Sequence, residues 1–93
     1  MQDMKIDGEI VEFQTGAPWF EREKSGLKSS TVRIFRDPEE ELKFINSIFQ
    51  FLSVRISNPE TQEVFVRRIT DISVYRMLPN TNVYIISWDG NRV

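Results

Sequence analysis

Ser30-Thr31-Val32-Arg33-Ile34-Phe35-Arg36-Asp37-Pro38-Glu39-Glu40-Glu41-Leu42 changes its period partway along. From Ser30 to Arg36 every second residue alternates, which places Val32 and Ile34 on one strand face and Thr31, Arg33 and Phe35 on the other. At Asp37 the signals become those of a helix start. Asp37 can cap, Pro38 takes the first helical position where a missing N–H costs nothing, and Glu40 can complete a capping box. Leu42, Phe44, Ile45, Ile48 and Phe49 then recur at helical spacing and are read as core packing. A strand running straight into a helix in so short a chain predicts an α+β domain.

The flanks extend this pattern. Upstream, Ile6–Phe13 reads as a strand interrupted at Gly8, and Thr15-Gly16-Ala17-Pro18 as a turn into a short helix. Trp19 and Phe20 pin that helix to the body, Glu21 and Lys24 suit its dipole, and Gly26 caps its end. Downstream, Phe51–Ser57 reads as a strand with Leu52, Val54 and Ile56 facing one way. Asn58–Glu63 is a turn, and Val64–Tyr75 returns as the second arm of a hairpin. The alternation slips near Arg67-Arg68, where a β-bulge would restore it and curl the sheet. Met77–Asn82 is a loop, and Val83–Trp88 is a last strand ended by Asp89-Gly90. The expected fold is one domain over residues 1–93: a small curled sheet or partly open β-barrel of about five strands with two short helices.

Composition narrows the chemistry. Cysteine and histidine are absent from the 93 residues, which removes disulfides, thiolate nucleophiles, zinc-finger sites and the imidazole base. A carboxylate-only Mg²⁺ or Ca²⁺ site stays open, but no acidic spacing resembles a calcium loop, and the expectation is neither a metal nor a cofactor. No apolar run approaches the roughly 20 residues that span a bilayer, and no signal peptide opens the chain. The expectation is a cytoplasmic protein without a membrane partner. A net charge of −2 argues against indiscriminate phosphate binding. Between Lys24 and Arg36, however, the charges are Lys24, Lys28, Arg33 and Arg36 with no acid. Such a basic stretch on an acidic protein suits a confined anionic ligand.

Within that stretch, Gly26, Lys28, Thr31 and Arg33 fit the pattern G-x-K-x-x-T-x-R entering a strand after a short helix. In this the chain resembles the ASCH domains, which share the PUA-like barrel. The motif covers about eight residues, and the order of elements extends the likeness over roughly residues 6–88. The resemblance implies an RNA, nucleotide or other nucleic-acid ligand. It also points to one branch that hydrolyses the acetyl amide of N4-acetylcytidine with a Lys, a Thr and a Glu, of which Lys28 and Thr31 match the first two. Two departures stand against that chemistry. No acid occupies Met77–Asn82, where the branch carries its glutamate, and the Asp37–Gln50 helix replaces a short turn.

The residues themselves support part of this reading. Thr31 and Arg33 share a strand face, and Lys28 in the preceding loop can lean over the same place. Arg33 can grip a phosphate or carboxylate bidentately. Arg67 and Trp19 complete the candidate ligand set, Trp19 as a stacking surface. Each has an ordinary alternative: a helix cap for Gly26, a strand former for Thr31, a cross-strand ion pair for Arg33, a bulge for Arg67. Three functions stay open. The first is a module binding a nucleotide or single-stranded nucleic acid at Lys28, Thr31 and Arg33. The second is a metal-independent amidohydrolase using Lys28 and Thr31, with Glu9, Glu12, Asp71 or Asp89 as its carboxylate. The third is a phage or mobile-element accessory protein working by protein contact.

Overall fold

The computed structural model describes residues 4–77 and 79–89. Its elements are β1 (Lys5–Asp7), β2 (Ile10–Gln14), α1 (Trp19–Ser25), β3 (Ser30–Arg33), α2 (Pro38–Ser47), a 3-10 turn (Ile48–Gln50), β4 (Ser53–Ser57), β5 (Val64–Met77) and β6 (Thr81–Trp88). Among the described residues they form one open six-stranded sheet in the order β1-β2-β4-β5-β6-β3. Only the β2–β4 pairing is parallel. The small curled α+β sheet with two helices is therefore present. Residues 1–3, Leu78 and Gly90, which the sequence reading placed in a frayed start, a loop and a final turn, lie outside the described residues.

The sixth strand comes from Gly8. The single strand expected over Ile6–Phe13 is a hairpin, because Gly8 turns the chain with φ +61° and Asp7 then faces Ile10. The two turn residues are Gly8 and Glu9, and a glycine at the first of them supplies the positive φ that tight hairpin turns require. At the other end the expected Met77–Asn82 loop shrinks. β5 runs on to Met77 and β6 begins at Thr81, with Asn80 in the left-handed region at φ 115°.

Side-chain facing departs from expectation in two places, β4 and α2, while in β3 the two faces group as expected and one of them is the inner face. In β3 the polar residues point inward: Thr31 and Arg33 are 1% and 7% exposed, while Val32 and Ile34 lie outside. Their register explains it, since Thr31 faces Ile86 and Arg33 faces Tyr84, both core residues. In β4, Val54 and Ile56 are buried as read, but Leu52 is outside and Phe51 takes the core position ahead of the strand. In α2 the apolar stripe is split. Phe44 is fully buried and Ile48 packs against the core, whereas Leu42, Ile45 and Phe49 are exposed.

The helix start itself is as read at Asp37, whose Oδ1 accepts from the Glu39 N–H at 2.9 Å. The capping box is not completed, since Glu40 Oε1 is buried without a partner. The bulge sits between Ile69 and Asp71 rather than at Arg67-Arg68. Phe65 and Ile69 both face the core, so the alternation runs unbroken through the arginine pair. The shift lets β5 leave β4 and continue along β6.

Phe44 is the hub of the interior. Its ring lies 5.1–6.1 Å from those of Tyr84, Phe35, Phe51 and Phe13. Tilted and edge-on pairs of this kind add stability beyond burial alone. Glu41 ties α2 to β6 by accepting from the Tyr84 hydroxyl at 2.6 Å and from Asn82 at 3.1 Å. Burial, and then this hydrogen bond, push the Tyr84 phenol up to about 12. No helix among the described residues is long and apolar enough to cross a membrane.

A candidate ligand cleft at the open seam of the sheet

The sheet does not close, and its seam lies between the end of β2 and the outer edge of β3. Arg33 bridges this gap. Its Nη1 donates to the Gln14 carbonyl at 2.8 Å, its Nη2 to the Thr15 hydroxyl, and its Nε to Thr31 Oγ1 at 3.0 Å. The guanidinium lies 4.8 Å above the Phe13 ring. A planar fork with several donors suits this task, because it can satisfy separate acceptors while stacking on an aromatic face. Burial pulls the Arg33 guanidinium down to about 10, with the Glu23 carboxylate acting in the opposite direction. It therefore remains charged at neutral pH.

Beside this bridge lies a cleft of about 320 Å³ lined by Gln14, Thr15, Trp19, Lys28, Thr31, Val32 and Arg33. Four of the five predicted ligand residues, Lys28, Thr31, Arg33 and Trp19, thus line one concavity. Local structure delivers each of them. Gly26 ends α1 at φ 91° as a left-handed cap, and the Lys28 N–H closes back on the Arg22 carbonyl at 3.0 Å. That turn swings the Lys28 side chain against the helix. Its Nζ meets Glu23 Oε2 at 3.1 Å and donates to the Ser30 carbonyl at 2.7 Å. An ammonium has three donors, so one N–H of this partly exposed side chain remains available. Trp19, expected to pin α1, is 51% exposed, with Arg22 stacked 5.1 Å from its ring. Phe20 alone does the pinning.

Arg67 lies elsewhere. It donates to the Lys24 carbonyl at 2.8 Å, close to the end of α1, and stacks 4.8 Å over Phe65. It is not among the residues that line the cleft.

Glu23 escaped the sequence reading and is the most informative addition. It is 2% exposed, ion-paired to Lys28, and its Oε1 is buried with no partner. Two of the acids considered as carboxylate suppliers are engaged elsewhere. Glu12 bonds to Arg55 and Ser57, and Asp71 accepts from Ser73. A signal for Glu23 existed: it follows the anchor Phe20 by three residues, which puts both on the inward helix face. Gln14 and Thr15 were also missed, read only as a strand end and a turn.

The chain matches no protein-family model, no curated protein and no solved structure.

Proposed function

We propose that this cleft binds a nucleotide or a short single-stranded segment of nucleic acid, in a small module of ASCH-like, PUA-like type. The supporting observation is that Lys28, Arg33, Thr31 and a half-exposed Trp19 line one concavity. At about 320 Å³ it lies at the small end of ligand pockets. That size suits one nucleotide unit rather than a duplex. The roles divide by burial. Arg33 is committed to its protein partners and supplies fixed positive charge. Lys28, with a donor to spare, is the phosphate contact, and Trp19 offers its ring to a base.

Tryptophan fluorescence reads binding directly, because Trp88 is buried in the core and Trp19 is in the cleft. Titration with 5′-mononucleotides is expected to quench Trp19 and to weaken as salt screens the contact between phosphate and Lys28. Lys28→Gln keeps a donor for Glu23 while removing the charge, and binding should weaken about tenfold, equivalent to about 1.4 kcal/mol. A salt-independent affinity that Lys28→Gln leaves unchanged removes the proposal.

A second reading has one observation in its favour. Glu23 against Lys28 brings a carboxylate to the Lys–Thr pair, as hydrolysis of an acylated nucleoside such as N4-acetylcytidine would require. Two features weigh against it. Thr31 is 1% exposed, and Lys28 faces a carboxylate, whereas a lysine base needs burial or neighbouring cations. Chromatography of N4-acetylcytidine incubated with the protein decides it. Release of cytidine and acetate that Thr31→Val and Glu23→Gln both abolish supports the enzyme, and no turnover rejects it.

A further inference from the structure

We propose that the free edge of β3 reads the base of the bound nucleotide, with the main-chain N–H and C=O of Val32 pairing with a donor and an acceptor side by side on the base. This rests on the nucleotide reading of the cleft and specifies how the ligand is recognised there.

The direction of the Val32 amide and carbonyl follows from the ladder. Residues in an antiparallel pair alternate between those that exchange main-chain hydrogen bonds and those whose groups point away. β3 faces β6 with Thr31 opposite Ile86 and Arg33 opposite Tyr84, and the Trp88 N–H donates to the Ser29 carbonyl at 2.9 Å. Ser29, Thr31 and Arg33 are therefore the bonded positions. Ser30 and Val32 turn their main-chain groups outward. Ser30 bears this out, since its carbonyl accepts from Lys28 rather than from β6.

Among the described residues, β3 has no strand neighbour on that outer side. Among the described residues no partner takes the outward N–H or C=O of Val32, and Val32 lines the cleft. An unpaired edge strand is a template for whatever offers matching donors and acceptors, and proteins commonly guard such edges with lysine, proline or a bulge. At Val32 there is no such guard. The edge instead opens between a cation, Lys28, and an aromatic ring, Trp19. A base presents a hydrogen-bonding edge together with a stackable face. Its phosphate would take Lys28. A sugar phosphate has hydroxyls but no flat face to stack on Trp19 while it meets the Val32 main chain.

The test combines two arms. On the protein side, Val32→Pro deletes only an N–H that the β3–β6 ladder does not use. Proline is tolerated at such outward edge positions, and the preceding Thr31 is already extended. Val32→Ala controls for the side chain, and thermal unfolding checks that each variant is folded. On the ligand side, AMP, CMP and UMP are compared with N6,N6-dimethyl-AMP, N4,N4-dimethyl-CMP, 3-methyl-UMP and ribose 5-phosphate. These base methylations remove the N–H donors without adding charge.

The expected result is at least about tenfold weaker binding for Val32→Pro, for the methylated nucleotides and for ribose 5-phosphate, the low end of what a bidentate base contact contributes. Val32→Ala should stay within about twofold. Equal binding of the methylated and unmodified nucleotides overturns the edge assignment while leaving the nucleotide reading standing, and it does so even if Val32→Pro fails to fold. Failure of all three unmodified nucleotides to bind wild-type protein takes both down.

Discussion

Arg33→Ala should lower unfolding stability by about 3 kcal/mol, the cost typical of removing a buried charged group whose partners are left unsatisfied. The loss strands the Gln14 carbonyl and the Thr15 and Thr31 hydroxyls at the seam and uncovers one face of the Phe13 ring. In a domain this small the melting temperature should fall by roughly 12–24 °C. Arg33→Lys restores the charge but cannot serve three acceptors at separate positions, so it should recover less than half of the loss. Chemical denaturation of the three proteins measures this. A loss within about 0.5 kcal/mol for Arg33→Ala, the range of an ordinary surface change, would mean that the guanidinium does not bridge the seam.

Phe44→Ala should cost about 4 kcal/mol, while Phe49→Ala, five residues on in the same apolar series, should cost at most about 0.5 kcal/mol. The contrast follows from burial: Phe44 is fully buried among four aromatic rings, and Phe49 is 100% exposed. Phe44→Leu, which keeps most of the volume, should fall between them and stay folded. Denaturation midpoints give all three. Comparable losses at Phe44 and Phe49 would show that α2 is rolled about its axis relative to the orientation described above.

The same pair of residues shows where sequence patterning loses its grip. Spacing at 3.6 residues locates a helix and its apolar positions, and α2 is where the pattern puts it. It does not say how wide a stripe the sheet beneath can cover. Phe44 is the buried residue of α2 and Glu41 bonds to Tyr84, while Leu42 and Ile45 stay outside. β3 carries the opposite lesson. Alternation correctly placed Thr31 and Arg33 on one face, but hydrophobicity alone would send Val32 and Ile34 inward. The outcome is reversed because Arg33 finds partners across the seam, in Gln14 and Thr15, about eighteen residues earlier in the chain. Contacts of that range leave no periodic trace.

The candidate site was legible to the same degree. Lys28, Thr31 and Arg33 were brought together by a local device, a glycine-capped helix followed by a strand, and local devices can be read from sequence. Glu23 pairs with Lys28 only because Gly26 folds the chain back on the helix. Arg67 is engaged at the end of α1, where it donates to the Lys24 carbonyl, and does not line the cleft. The bulge that redirects β5 came three residues later than the arginine pair suggested, because Phe65 rather than Val64 or Val66 is the inward residue.

The seam cleft is tested most directly by following the ¹H–¹⁵N spectrum of the wild-type protein as 5′-mononucleotides are added. Saturable shifts should gather at the amides of Gln14, Thr15 and Val32 and at the Trp19 indole, all of which line the cleft. Shifts confined to the apolar groove formed by Phe49, Ile69 and Ile72, or a spectrum that does not move, would contradict it.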